Sequence, residues 1–267
     1  MRSRALAATA LAAAAITLTA CSSNTPAASP TTTPNSTTSS AQAISGTVTV
    51  LAAASLTGAF TTLGKQFEAA HPGTQVRLSF GASSALAQQI NQGAPADVFA
   101  SAATTNMKQV IDAGGAAAPK NFVKNVMEIA VPPSNPAKVG GLADLARPGV
   151  KVALCQPQVP CGAVAAQVFK NAQVTVTPVT LEQDVKSTLT KVQLNEADAG
   201  VVYTTDVKAA GAKVTGIPIP ADVNASTEYP IAALSKAPNS AGAQAFVDYV
   251  LSPAGQTVLT AAGFEKP

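Results

Sequence analysis

The chain of 267 residues is 47% hydrophobic and only 12% charged, with a formal net charge of +3 and one histidine. That balance gives no basic surface for nucleic acid, and the absence of tryptophan argues against a sugar-stacking cleft or a base-stacking platform. No GxSxG, HExxH or GxxxxGK[ST] pattern occurs, so Ser-His-Asp hydrolysis, zinc proteolysis and P-loop chemistry lack their parts, and the chain is not expected to be an enzyme.

The chain opens "MRSRALAATALAAAAITLTAC", with Arg2 and Arg4, an alanine-rich apolar run and then small residues, the pattern of a signal peptide over residues 1–20. Leu18-Thr19-Ala20-Cys21 resembles a bacterial lipobox, which marks Cys21 for lipidation. The alternative, a membrane-spanning anchor, is disfavoured because the apolar run is short for a span. Cleavage removes two arginines and no acids, leaving 15 bases against 14 acids. Residues 21–45 are the lipidated cysteine and an uncharged Ser/Thr/Pro stretch with one large apolar residue, Ile44, a composition that cannot bury a core. As a flexible tether it reaches on the order of 27 Å.

From Gly46 onward, apolar runs alternate with helical patterns. Thr47–Ala52 reads as a strand and Ser55–Ala70 as a helix with Leu56, Phe60, Leu63 and Phe67 on one face, stopped at His71-Pro72-Gly73. The lone histidine therefore reads as a surface turn residue. Gln75–Phe80 is a strand, Ser84–Gln92 a helix, Asp97–Ala100 a strand and Thr104–Ala113 a helix. The same order restarts after Asn125, with strands near 126–131, 151–155, 174–177 and 199–203. Such βα repetition predicts mostly parallel sheets flanked by helices, an α/β fold. Glu228–Leu234 reads as one more strand, followed by helices over Ser240–Leu251 and Pro253–Ala262 that need a sheet to cover. They are expected to return to the first lobe. The expected organisation is lobe 1 over residues 46–126 plus 232–267 and lobe 2 over 127–231, joined by two crossing hinge strands.

Two cysteines, Cys155 and Cys161, bracket "CQPQVPC". In an exported chain an even pair predicts a disulfide, and closing this seven-residue loop removes about 2.4 kcal/mol of unfolded-chain entropy. A structural zinc site is the weaker alternative, because the remaining ligands are missing. Three strand ends run into helix starts rich in small or hydroxyl residues: Ser55 at a helix N-cap in "AAASL", Ser83 and Ser84 in "FGASSAL", and Cys161-Gly162 after "QVP". A helix start exposes unpaired N–H groups and partial positive charge, so three of them facing one cleft suit a dianion without any lysine or arginine. Each serine alone is equally an ordinary helix cap. Glu182 and Asp184, close in sequence, read as helix-dipole partners rather than an acid/base pair.

The strings "VLAAASLTGAF", "LSFGASSALAQQINQGAPADVFASA", "QVPCG" and "ADAGVVYTTDV", in this order, closely resemble the molybdate-binding proteins that deliver substrate to ABC importers. The likeness runs from about Thr47 to the terminal "AAGF". It implies a two-lobed, type II periplasmic-binding-protein fold and capture of molybdate, and usually tungstate, as the free oxyanion. No cofactor and no metal held by side-chain ligands is implied. Carried onto matching positions, the ligand contacts are the hydroxyls and amides of Ser55 and Ser83, the amides of Cys161 and Val185, and the hydroxyl of Tyr203. Many relatives have a small residue where Cys161 stands, a change that a main-chain donor tolerates. The disulfide then acts as a splint for the loop carrying that donor.

The expectation is a monomeric receptor, lipid-anchored to the outer face of the cell membrane, that hands molybdate to a permease and its ATPase. A pocket of donors without a carboxylate acceptor suits a fully deprotonated anion. Sulfate or another tetrahedral oxyanion is the alternative ligand. A structural or adhesion lipoprotein without a small ligand is the alternative of another class. An amino-acid receptor is disfavoured because the mature chain has only Arg77 and Arg147 to meet a carboxylate.

Overall fold

The structure, a computed structural model, describes residues 44–267; the expected signal peptide, lipidated Cys21 and most of the tether lie outside the described residues. Among the described residues, strand β1 (Gly46–Ala53) leads through a 3₁₀ turn (Ala54–Leu56) into α1 (Thr57–Ala70), followed by β2 (Thr74–Gly81), α2 (Ser83–Asn91), β3 (Val98–Ala100) and α3 (Thr104–Asp112). A long strand, β4 (Lys120–Val131), precedes β5 (Val152–Cys155), α4 (Pro160–Ala172), β6 (Thr180–Glu182), α5 (Val185–Gln193), β7 (Ala199–Tyr203), α6 (Thr204–Ala210) and β8 (Thr215–Pro218). The chain closes with β9 (Ser226–Ala233), α7 (Ser240–Leu251) and α8 (Pro253–Ala261).

The strands form one curled sheet in the order β2-β1-β3-β9-β4-β7-β5-β6, with β8 also paired to β4. β1 pairs in parallel with β2 and β3, and β5 in parallel with β6 and β7, so each half of the sheet is a βαβ assembly. Between the halves run β4 and β9, antiparallel to each other from Lys120↔Ile231 to Val126↔Ser226. β1 is covered on both faces: Val48, Val50 and Ala52 are buried on one, and Leu51 joins Leu86, Phe99 and Met107 in a core on the other. The helical face anticipated for α1 is the one that packs: Phe60, Leu63 and Phe67 are fully buried, and Phe246 of α7 meets Phe60 and Phe67 edge-on at ring separations of 6.0 and 5.3 Å. Each such side chain contributes about 1.5–3 kcal/mol of apolar burial. α7 and α8 do return to the first half, where Val247, Val250 and Leu259 join the same core. A second core lies under β4, β5 and β7 with Ile129, Val152, Val201 and Val168.

Three local expectations are corrected. Residues 174–177 form no strand; the edge of β5 is taken instead by β6, with Ala153 opposite Thr180. Val174 and Val176 alternate as a strand would, but they use that alternation to pack on the second core without a ladder. β4 begins at Lys120, six residues before the expected strand start, because its first part pairs with β9 and only its second part with β7 and β8. Ser55 is not an N-cap: it lies inside the 3₁₀ turn, its side chain caps no helix, and α1 begins two residues later.

Candidate functional site

Three helices begin at one place between the two halves, and their first turns leave N–H groups without helical partners. In α2 the first bond of that kind is Leu86 N–H to Ala82 O, at 3.0 Å. In α4 it is Ala163 N–H to Val159 O at 3.1 Å, and in α5 Thr188 N–H to Asp184 O at 3.1 Å. The amides of Ser83 and Ser84, of Cys161 and Gly162, and of Val185 and Lys186 therefore precede any intrahelical bond, at the positive ends of three helix dipoles. Pro160 at the first position of α4 has no N–H to satisfy and sets the backbone for the turn.

These starts wall a small cavity of about 20 Å³, a space for one compact guest. Ser55, Ser83, Cys161, Val185 and Tyr203 all line it. The five residues carried over from the family motifs are thus brought together, although Ser55 and Tyr203 lie 148 positions apart in the chain. No arginine, lysine or histidine is among the lining residues. One carboxylate residue, Asp184, is on the wall, which corrects the expectation of a pocket free of acids; its Oδ1 accepts from Ser187 N–H at 2.9 Å as the N-cap of α5, the dipole role anticipated for it. Glu182 lies apart on β6, accepting from Thr180 Oγ1 at 2.6 Å. His71, the turn residue, donates through Nδ1 to Phe67 O (2.9 Å) and does not line the cavity.

The side chains at the wall are poised as donors. Ser83 Oγ, fully buried, accepts from Ala102 N–H at 2.8 Å, so its own proton remains for another acceptor. Ser55 Oγ lies 2.9 Å from Tyr229 Oη. The hydroxyl of Tyr203 is buried and has no hydrogen-bond partner among the described residues. Burial, reinforced by Tyr229 and Asp206, pushes this phenol well above its ordinary pKa, so it stays protonated and able to donate. A buried O–H without an acceptor costs about 1–3 kcal/mol, which a guest oxygen in the cavity would recover.

The loop that carries the Cys161 amide is held on both sides. The Cys155–Cys161 disulfide is present, with the two Cα atoms 5.8 Å apart, and links the end of β5 to the first turn of α4. Gln156 N–H donates to Glu182 O at 2.8 Å, and Val159 N–H to Gln156 O at 3.1 Å. Gly162 is pressed onto this loop so closely that a Cβ there would fall 2.0 Å from the Gln156 carbonyl oxygen. Only glycine permits that approach.

Four further residues complete the surroundings and were not singled out in the sequence. Asp206 of α6, with no exposed surface, accepts from Tyr203 N–H through Oδ2 at 3.2 Å and pairs with Lys186 Nζ through Oδ1 at 2.8 Å. Tyr229 and Asn125, on the two crossing strands, lie behind Ser55. Such an arrangement of neutral donors from both halves can hold a small, fully deprotonated anion and offers no nucleophile paired with a base.

A family model described as bacterial extracellular solute-binding protein matches residues 48–265. The chain is 42% identical over 251 residues to the molybdate-binding protein ModA of Mycobacterium tuberculosis (strain ATCC 25618 / H37Rv), covering 94% of this chain and 93% of that protein. It is 33% identical over 231 residues to the molybdate-binding protein ModA of Escherichia coli (strain K12), covering 82% and 89%. Among solved structures, the periplasmic molybdate-binding protein of Azotobacter vinelandii matches with a TM-score of 0.73 at 22% identity, over 82% of this chain and 99% of that one. The resemblance read from the motifs is borne out, and the fold is the two-lobed, type II periplasmic-binding-protein architecture it implied. No helix of the described residues is long and apolar enough to cross a membrane. The chain belongs to the family of bacterial extracellular solute-binding proteins.

Proposed function

We propose that this protein captures molybdate, and also tungstate, as the free oxyanion and delivers it to an ABC importer permease driven by a cytoplasmic ATPase. It performs no catalysis. Ser55, Ser83 and Tyr203 contribute hydroxyl donors, and Ser55, Ser83, Cys161 and Val185 contribute amides. The protein acts as a monomer, tethered through a lipid on Cys21 to the outer face of the cell membrane. Lobe 1 (46–126 plus 232–267) and lobe 2 (127–231) move about the two crossing strands, β4 and β9, which pair antiparallel to each other.

The observation that carries this reading is the Tyr203 hydroxyl: a buried donor with no hydrogen-bond acceptor among the described residues, on the wall of a small cavity where three helix N-termini begin. A tetrahedral dianion supplies the missing acceptor and favours the partial positive charge of the helix starts. A protonated anion such as hydrogen phosphate would have to turn its O–H to the one carboxylate on the wall, Asp184, whose Oδ1 already accepts from Ser187 N–H. Calorimetric titration with molybdate, tungstate and sulfate tests the reading. Tight uptake of molybdate and tungstate is expected; sulfate binding more tightly than molybdate would replace the ligand, and no heat with any of the three would end the proposal.

A further inference from the structure

Behind Ser55 a buried chain of polar groups passes through both crossing strands. Ser55 Oγ meets Tyr229 Oη of β9 at 2.9 Å. Asn125 of β4 donates through Nδ2 to Tyr229 Oη at 3.4 Å and to Thr205 Oγ1 at 2.8 Å. The Oδ1 of Asn125 accepts from Val126 N–H at 3.1 Å and from Thr204 Oγ1 at 3.1 Å. Thr204 and Thr205 open α6, immediately after Tyr203. The chain therefore joins Ser55 on one half to the residues that follow Tyr203 on the other.

The direction of these bonds can be worked out from the groups that have no choice. A backbone N–H only donates, so Val126 fixes the carbonyl end of Asn125 toward itself and leaves the amide NH₂ facing Thr205 and Tyr229. Tyr229 Oη thus accepts a hydrogen bond from Asn125. Its own proton needs an acceptor; Ser55 Oγ stands at 2.9 Å, while the nearby Tyr203 hydroxyl does not reach hydrogen-bond geometry. Burial keeps that phenol protonated by pushing its pKa up. With Tyr229 donating to it, the Ser55 hydroxyl is left to point its proton at the cavity. Hydrogen bonds aligned head to tail in this way also polarise one another.

We propose that Tyr229 and Asn125 are positioning residues that set the Ser55 hydroxyl as a donor to the anion and couple it, across both crossing strands, to the segment carrying Tyr203. This rests on the reading of the cavity as an oxyanion site. The Tyr229 ring is separately anchored by edge-on packing against Phe264 at 5.5 Å and Phe122 at 6.3 Å, so removing the oxygen alone leaves its packing in place.

The test is a double-mutant cycle on the full chain, titrated with molybdate in a calorimeter, with melting curves for every variant. Tyr229→Phe is expected to weaken molybdate roughly three- to tenfold when Ser55 is present, and less than about twofold in a Ser55→Ala background. Thr205→Val, which removes the firm acceptor of the Asn125 amide without touching Ser55 or Tyr229, is expected to weaken binding by a smaller factor and stands in if Tyr229→Phe does not fold. Equal losses for Tyr229→Phe in both backgrounds, or unchanged affinity in Thr205→Val, would reduce the chain to a structural role. Wild-type protein that binds neither molybdate, tungstate nor sulfate would instead remove the oxyanion reading itself, and this inference with it.

Discussion

Lys186 Nζ lies 2.8 Å from Asp206 Oδ1, an ion pair that ties the first turn of α5 to a fully buried carboxylate behind Tyr203. Burial raises the Asp206 pKa above its ordinary 3.8; Lys186 and the Tyr203 N–H oppose this, and the charge of Asp184 adds to it. A carboxyl whose folded pKa is raised holds its proton more tightly in the folded state. Its contribution to stability is greatest below pH 3.8 and falls as pH rises through the folded pKa. Lys186→Met removes the opposing charge and moves that pKa further up. The expected result is a loss of roughly 3 kcal/mol at pH 8 that shrinks at pH 5, and that Asp206→Asn in the same chain largely restores. Denaturant melts at the two pH values decide it, and an equal loss at both without rescue would contradict the role given to the pair.

Tyr203→Phe and Ser83→Ala should separate binding from stability. The Tyr203 hydroxyl bonds to no described group, so its removal is expected to leave the ligand-free melting temperature unchanged or raised, while molybdate affinity falls about ten- to a hundredfold. Ser83 Oγ accepts the buried Ala102 N–H, so Ser83→Ala leaves that donor orphaned and lowers stability by about 1–3 kcal/mol as well as weakening molybdate at least about tenfold. Both variants need calorimetry and melts side by side. A Tyr203→Phe protein that binds molybdate as the wild type does would remove Tyr203 from the site.

Much of this architecture could be read from local pattern, because local pattern is what sets it. The α1 face of Phe60, Leu63 and Phe67 follows helical spacing and is the face that packs. The donor-rich helix starts follow strand ends, and a parallel βα order carries strand ends to one side of a sheet. What escaped depended on register between distant segments. Asn125 and Tyr229 are 104 positions apart and meet because Val126 pairs with Ser226 and Val123 with Tyr229. Tyr229 left one signal, a hydroxyl in the otherwise apolar run "YPIAAL" that would need a partner once buried. The false strand at 174–177 had the right period, but the edge of β5 is taken by β6, and which segment takes an edge is not a property of the segment alone.

The disulfide and Gly162 should act on binding through the same loop. Reduction, or Cys155→Ser with Cys161→Ser, frees the end of β5 from the start of α4, so the Cys161 amide loses its fixed position. Molybdate affinity is expected to fall by more than helix content does. Gly162→Ala is the sharper probe, since the new methyl group collides with the Gln156 carbonyl and must displace either the loop or the first turn of α4. Its expected effect is a loss of molybdate affinity with the disulfide still formed, measured by calorimetry and by a thiol titration. A variant with wild-type affinity would show that the loop adjusts without moving the donor.

Ligand-dependent melting distinguishes a receptor from a structural or adhesion lipoprotein. Anything that binds the folded state alone stabilises it by mass action, about 4.1 kcal/mol when the free ligand stands at a thousand times its dissociation constant. Molybdate should therefore raise the melting temperature by an amount that grows with the logarithm of its concentration, while sodium chloride at matched ionic strength does not. The helix-dipole contribution to binding is also screened by salt, though less inside a closed cavity than at a surface. Binding that persists with little loss between low and high salt is expected from buried neutral donors. A steep fall of affinity with salt would instead indicate capture by exposed lysines, and an unchanged melting temperature at saturating molybdate would favour a protein that holds no small anion.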